Sequence, residues 1–185
     1  MTVKVAVLVG SLRKDSLSGA LAHALAEVAG PELDLQQITI GDLPFYNPDL
    51  DTDTPPEPWT RLRKEVGAAQ AVLFVTPEYN RTFPAVIKNA LDVGSRPYGS
   101  SVWDGKPAAI ASQSPGATGG FGANHHLRQP MVFLNMPMMQ QPEVYLSRSA
   151  DYFDDKGHLT NDGTRDFLTG FMKAFAEWIE RTTRS

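Results

Sequence analysis

Side chains able to bind an anion are concentrated in the segment Gly10–Ser18, between an apolar run and a helical pattern. A helix start offers free backbone N–H groups, and its dipole favours negative charge. Four side chains of the segment can donate to the same anion: Ser11, Arg13, Ser16 and Ser18. The sequence therefore predicts a phosphate site here. The alternative interpretation is that Asp15 or Ser16 only caps the helix.

Two well-known phosphate-binding patterns are absent from this segment. It has neither the Gly-x-x-x-x-Gly-Lys-Ser/Thr spacing of a nucleoside triphosphate loop nor the Gly-x-Gly-x-x-Gly spacing of a dinucleotide site. Hydroxyl and amide donors around a single phosphate suit FMN better than ATP or NAD. The predicted ligand is therefore a mononucleotide.

A second candidate segment, Thr76–Pro84, begins where the most apolar strand pattern of the chain ends. Its backbone N–H groups can reach the polar edge of a flat heteroaromatic ring, and Tyr79 can pack near the face of that ring. The same segment offers Glu78 and Asn80. The alternative interpretation is a proline-rich turn in which Tyr79 covers the core.

The third candidate segment, Ser112–Gly122, is rich in glycine. Glycine lets the backbone approach a ligand closely, at an entropic cost that a purely structural loop usually avoids. The alternative is a flexible loop in solvent. We favour ligand binding, because the structural alternatives for all three segments would have to hold at the same edge of one sheet.

The elements that must position these segments alternate between short apolar runs and helical patterns. Strands are predicted over 3–9, 33–40, 71–75, 107–112 and 138–142, and helices over 17–28, 59–69, 84–93, 123–134 and 165–181. Residues 42–58 and 145–163 are predicted to be irregular. The alternation predicts one α/β domain over residues 1–185, with a parallel sheet covered by helices on both faces. Ligands of such sheets bind at the carboxyl ends of the strands.

Composition excludes several classes of function. The net charge of −4 argues against a surface for duplex nucleic acid, and the absence of cysteine rules out disulfides, thiolate metal sites and iron–sulfur clusters. We expect no metal: His125 and His126 are adjacent, so they face different ways on a helix. No run approaches the roughly 20 apolar residues of a membrane span. The N-terminus lacks a signal-peptide pattern, and we expect a cytoplasmic protein.

Several motifs together resemble the NADPH-dependent FMN reductase family, and within it the chromate/quinone reductase group. The matching stretches are Gly-Ser-Leu-Arg-Lys-x-Ser at 10–16, Thr-Pro-Glu-Tyr-Asn at 76–80, Lys-Asn-Ala-Leu-Asp at 88–92, Ser-Arg-Pro at 95–97, Gly-Lys-Pro at 105–107 and His-Leu-Arg-Gln at 126–129. The resemblance covers the chain from Val5 to about Val144, and the final helix is also present.

This resemblance implies a flavodoxin-like three-layer sandwich with five strands in the order 2-1-3-4-5 and FMN at the switch point. It assigns FMN contacts to Gly10, Ser11, Leu12, Arg13, Ser16, Leu17 and Ser18 around the phosphate, to Pro77, Glu78, Tyr79 and Asn80 along the isoalloxazine ring, and to Gln113, Ser114 and Gly116 on the ring and ribityl side. It also implies a homodimer or homotetramer. Two departures concern the site: Ser18 stands where relatives often have Asn, and Ala85 where Gly is usual.

The activity that the resemblance implies is reduction of quinones, or similar small acceptors such as chromate, with NADPH or NADH as electron donor. Hydride transfer through FMN would follow a ping-pong sequence, and no side chain need act as acid or base, so no catalytic residue is assigned. Two alternatives stay open. One is a flavin reductase or azoreductase that releases reduced FMN, and the other is a flavodoxin-type electron carrier without turnover of its own.

Overall fold

Short runs of β-branched and apolar residues form one parallel sheet in the computed structural model, which describes residues 2–183. Its strands are β1 (Val3–Val9), β2 (Leu33–Gln37), β3 (Ala71–Thr76), β4 (Ala108–Ser114) and β5 (Val144–Ser147). Every neighbouring pair is parallel, and the order is β2-β1-β3-β4-β5. This confirms the predicted α/β class and the flavodoxin-like strand order.

Helices cover both faces of the sheet, as the buried central strands require. They are α1 (Leu17–Val28), α2 (Glu57–Ala68), α3 (Ala85–Gly94), α4 (Phe121–Phe133) and α5 (Asp162–Thr183). Alternate residues of β1 serve the two layers: Val5 and Val7 pack with α1 and α5, while Ala6 and Leu8 pack with α2, α3 and α4. The sheet therefore separates two hydrophobic cores, one on each of its faces. The single domain predicted over 1–185 stays a prediction, and residues 1, 184 and 185 lie outside the described range.

The predicted position of the last strand is wrong. In place of a strand over 138–142, the chain makes one bridge between Met138 and Ala108, and β5 begins only at Val144, opposite Ala111. The six residues 138–143 thus lie opposite only three residues of β4, 108–110. Residues 139–143 therefore cannot continue a regular β-ladder. Pro142 also lacks an N–H to donate. The segment 145–163, predicted to be irregular, instead contains most of β5, a 3-10 turn over Ser149–Tyr152 and the start of α5.

Other element ends differ by a few residues from the sequence prediction. β2 stops at Gln37 rather than at residue 40, because Ile38 and Ile40 turn into the core beneath α2. β4 continues to Ser114, so Gln113 and Ser114 are strand residues rather than loop residues. Pro84 is the N-cap of α3 and not part of its first turn. The longer β4 carries two candidate side chains on a rigid element.

The long connection 42–58 is held in place by partly buried contacts. Arg63 of α2 forms an ion pair with Asp51 at 2.9 Å, and Trp59 donates through Nε1 to the carbonyl of Pro44 at 3.0 Å. The side-chain amide of Asn89 donates to that same carbonyl. The connection is therefore anchored on α2 and α3. Within residues 2–183, no helix has the length and apolar character needed to cross a bilayer.

Candidate functional site

A cleft of about 260 Å³ lies at the carboxyl edge of the sheet. The chain leaves β1 toward β2 on one side and returns to β3 on the other, which makes this edge the switch point of the sheet. The cleft is lined by Ser11, Arg13, Ser16, Leu17, Pro77, Glu78, Tyr79, Gln113, Ser114 and Pro115. The structure thus brings the three candidate segments together around one space.

The first turn of α1 forms one end of the cleft. Ser16 is the N-cap: its Oγ accepts a hydrogen bond from the Gly19 N–H at 2.9 Å. Of the N–H groups at this helix start, those of Leu17 and Ser18 are left for an anion. The first turn carries no acidic residue. Capping and anion binding are compatible here, because the Ser16 hydroxyl accepts from Gly19 and keeps its own proton to donate.

The turn after β3 forms the second wall. Tyr79 and Thr82 exchange two backbone hydrogen bonds, of 2.9 and 3.0 Å. The two residues between them have positive φ, 50° for Asn80 and 71° for Arg81, a region that L-residues rarely adopt. Such local strain is characteristic of ligand sites, because the surrounding structure must stabilise it. The tight turn fixes the backbone of 77–79 against the cleft.

The Glu78 carboxylate connects this wall to α4. Its Oε2 accepts a hydrogen bond from the Ala123 N–H at 3.2 Å, in the first turn of a helix whose N-cap, Gly120, has no side chain. A Cβ on Gly122 would lie 2.9 Å from the same Oε2, so only glycine permits this approach. The Glu78 side chain is therefore committed to α4, which leaves the backbone of Glu78 available to a ligand.

Gln113 forms the third wall and is held at both ends of its amide. Its Nε2 donates to Ser18 Oγ at 2.9 Å, and its Oε1 accepts from Ser149 Oγ at 2.6 Å. Ser18 is fully buried and does not line the cleft, although the sequence analysis placed it at the phosphate. Of the two, Gln113 is the one that reaches the cleft.

Four further candidate residues do not line the cleft either. Gly10 is buried, and a Cβ there would lie 2.8 Å from Ile87 Cδ1. Leu12 is exposed and passes over Gly41, Asn80 lies in the tight turn, and Gly116 is an exposed loop residue. Their contacts with a ligand stay predictions.

The sequence analysis missed Pro115 and Ser149. Pro115 lines the cleft directly after Ser114, and its place next to two proposed contacts was a usable signal. Ser149 is 36 residues from Gln113 and lies in a stretch predicted to be irregular. No local pattern marks it.

Another polar contact, between α4 and β5, lies outside the cleft. His125 Nε2 is 3.0 Å from the Tyr145 hydroxyl. Burial raises the pKa of Tyr145 to about 12, with a further contribution from Glu143, so the phenol stays neutral at physiological pH. Over residues 2–183, no three His, Asp or Glu side chains are placed to share a metal ion.

A second cleft, of about 350 Å³, adjoins the first at Ser16 and Leu17. Its charged and titratable lining residues are Lys14, Asp15, His23, Asp154, Asp155, Lys156 and His158. The carboxylate of Asp154 is occupied within its own turn, where it accepts from the N–H groups of Lys156 and His158. With both signs of charge present, this lining favours no class of ligand.

Relatives and a solved structure match almost the full length of the chain. The family model described as NADPH-dependent FMN reductase matches residues 3–151. A quinone reductase of Pseudomonas putida strain KT2440 is 57% identical over 176 residues, covering 95% of this chain and 94% of that protein. A 2-hydroxy-1,4-benzoquinone reductase of a Burkholderia species is 44% identical over 179 residues, covering 97% of each. The solved structure of FerB, a flavoenzyme NAD(P)H:acceptor oxidoreductase from Paracoccus denitrificans, matches with a TM-score of 0.92 at 44% identity, covering 98% of this chain and 99% of that one.

Proposed function

The chain belongs to the NADPH-dependent FMN reductase family, and we propose that it reduces quinones with FMN held in the 260 Å³ cleft. It is an NAD(P)H-dependent oxidoreductase whose cofactor is FMN. The quinone acceptor is supported by the names of two relatives that match almost the whole chain. The observation that carries the proposal is the convergence of the three segments on one cleft.

The residues of the cleft fit FMN group by group. The phosphate would be held by Ser11, Arg13, Ser16 and the N–H groups at the start of α1, where positive partial charge and donors coincide. The isoalloxazine ring would lie along the backbone of 77–79, beside the half-exposed ring of Tyr79. Gln113, Ser114 and Pro115 would border the ring and ribityl side.

The chain's own residues bind and orient, and none of them needs to transfer a proton. When bound, FMN takes two electrons from the nicotinamide and gives them to the acceptor. Strand ends and a tight turn hold the cleft walls, so they would keep one face of a bound ring in a fixed position. Donor and acceptor would use that face in turn, which is a ping-pong sequence. Tyr79 offers a flat surface to an aromatic acceptor.

An exposed apolar face along α3 and the end of α4 supports self-association. Four large side chains on this face are mostly exposed: Phe45 (78%), Tyr98 (88%), Val132 (83%) and Phe133 (84%). Three of them, Phe45, Tyr98 and Phe133, border connected grooves that run along α3, from the connection 42–58 to the end of α4. Exposed apolar patches of this kind mark interaction sites. We include a homodimer or homotetramer formed through this face, and a cytoplasmic location, in the proposal.

Replacing Phe133 with glutamate should convert the oligomer to a monomer, because a charge in an apolar interface is costly to desolvate. Size-exclusion chromatography with light scattering measures the mass directly. Phe167 on α5 is 43% exposed and lies away from this face, so Phe167→Glu is the matched control and should keep the wild-type mass. An unchanged mass for Phe133→Glu would place the subunit contact elsewhere.

The proposed activity predicts a yellow protein that oxidises NADPH or NADH steadily when 1,4-benzoquinone is supplied. Steady-state rates over both substrates should give the parallel double-reciprocal lines of a ping-pong sequence. Chromate and an azo dye serve as competing acceptors in the same assay. A folded protein that takes up no FMN contradicts the proposal.

Two measurements separate the alternatives. A flavodoxin-type carrier would show no steady NAD(P)H oxidation with quinone. A reductase that releases reduced FMN would lose its flavin on gel filtration and turn over free FMN faster than quinone. Retention of FMN through gel filtration, together with quinone turnover, supports the proposed function over both.

A further inference from the structure

Three buried polar side chains form a hydrogen-bonded chain behind the cleft. Ser18 and Ser149 have no exposed surface, and Gln113 has 4%. Gln113 Nε2 donates to Ser18 Oγ at 2.9 Å, and Ser149 Oγ donates to Gln113 Oε1 at 2.6 Å. The three residues belong to α1, β4 and the 3-10 turn after β5. Buried polar groups of this kind are retained only when they are paired, since an unpaired one costs about 1–3 kcal/mol.

The geometry fixes which end of the Gln113 amide faces which serine. A separation of 2.6 Å suits an O–H···O bond, and 2.9 Å suits an N–H···O bond. Ser149 therefore holds the carbonyl end, and the amino end is directed toward α1. An amino group has two hydrogens, and Ser18 takes one of them. Gln113 lines the cleft, and no hydrogen bond among the described residues uses the second hydrogen.

We propose that Ser149 is a positioning residue for FMN: it holds the Gln113 amide so that its second N–H donates to a ribityl oxygen. This inference rests on the FMN site proposed above. It also gives Ser18 a different role from direct phosphate contact, namely to accept from Gln113 at the inner side of the cleft. Without the Ser149 hydroxyl, Oε1 would lose its donor and the amide could rotate.

A purely structural role for the three side chains would have different consequences, and Ser112 provides the control. Ser112 is also fully buried, precedes Gln113 in β4 and points to the other face of the sheet. Its Oγ donates to the Val144 carbonyl at 3.0 Å and accepts from Asn124. Ser112 does not line the cleft. Its loss should therefore affect stability without affecting the ligand.

The experiment compares Ser149→Ala and Ser112→Ala in the full-length protein after removal of flavin. Quenching of FMN fluorescence gives the Kd, and thermal unfolding of the same samples gives Tm. We expect both variants to lower Tm. Ser149→Ala should raise the Kd for FMN about tenfold, equivalent to about 1.4 kcal/mol, and Ser112→Ala should leave it within about twofold. Unchanged FMN affinity in Ser149→Ala, or equal losses in both variants, overturns the proposal.

Two further measurements cover the case in which Ser149→Ala does not fold. Ser149→Cys keeps most of the side-chain volume, but a thiol is a weak donor, so the Kd for FMN should again rise severalfold. In ¹⁵N-labelled protein without flavin, the Gln113 side-chain N–H that donates to Ser18 should be protected from exchange with solvent in the wild type and lose that protection in Ser149→Cys. Wild-type affinity and protection in Ser149→Cys would contradict the proposal. The proposed function is judged separately, by whether the wild-type protein binds FMN and reduces quinone.

Discussion

Ser16→Asp should weaken FMN binding by at least about a hundredfold while leaving the fold intact. Aspartate is as good an N-cap as serine, so the hydrogen bond from the Gly19 N–H is kept. Negative charge at a helix start is favourable by about 0.3–1 kcal/mol, and the flavin-free protein should be as stable as the wild type or slightly more so. The same carboxylate would stand where the phosphate is proposed to bind. Two unit charges at 4 Å repel by about 4 kcal/mol at an effective dielectric constant near 20.

Riboflavin and Ser16→Asn make this prediction specific. Riboflavin lacks the phosphate, so its affinity should be almost the same in Ser16→Asp and in the wild type. Ser16→Asn keeps a capping oxygen without a charge, and we expect it to lose less than about tenfold in FMN affinity. Fluorescence titrations with both ligands measure these values, and thermal unfolding checks the fold. If Ser16→Asp lost affinity for FMN and riboflavin equally, the phosphate would not lie at the start of α1.

Most of the fold could be predicted from sequence because the central strands are buried on both faces. Such strands are continuous apolar runs, and β1 and β3 were located to within a residue. The edge strand β5 was misplaced because its pattern is short and half exposed. Its start is determined by where the chain can resume pairing with β4, and that depends on the loop at 139–143. Such tertiary pairing leaves no local signal.

The candidate site was predictable where it depends on chain order and less so where it depends on burial. Strand ends of a parallel sheet must share an edge, so the convergence of three segments followed from the alternation alone. The orientation of the Ser18 side chain did not follow from that alternation. Nevertheless, a signal was present: Leu21, Ala22 and Leu25 follow Ser18 at spacings of three, four and seven and are all buried, which places Ser18 on the inner face of α1. Its partner Gln113 is 95 residues away and could not be identified from sequence.

In the glycine-rich segment, too, a contact between residues distant in sequence could not be predicted. That contact is the basis of the second large prediction. The resemblance assigned a ligand contact to Gly116. In the structure, however, the residue of this segment that must be glycine for steric reasons is Gly119. Gly119 is buried with φ +61°, and a Cβ there would lie 2.5 Å from the backbone carbon of Tyr145. Gly116 is exposed, and its added Cβ would meet only Ser114 Oγ, at 3.4 Å. The left-handed backbone of Gly119 and its contact with β5 separate the two residues, and neither is visible in the sequence.

Gly119→Ala should therefore lower the free energy of unfolding by about 3 kcal/mol. The left-handed backbone costs a non-glycine residue about 1–2 kcal/mol, and a contact of 2.5 Å with backbone atoms adds an overpacking cost of about 1–3 kcal/mol. The backbone of β5 cannot yield without breaking its pairing with β4, so the loop 115–120 must move instead. That movement would displace Pro115 from the cleft and weaken FMN binding as well.

Gly116→Ala is the matched control for this substitution. It should change stability by no more than about 0.5 kcal/mol, because an exposed residue with ordinary contacts is usually tolerant. Urea denaturation of both flavin-free variants measures the difference. A stable Gly119→Ala protein would mean that the loop can leave β5 without cost, and the glycine-rich segment would then be a flexible solvent loop. A large loss confined to Gly119→Ala would show that this segment is a rigid wall, held by β5 against the cleft that it helps to form.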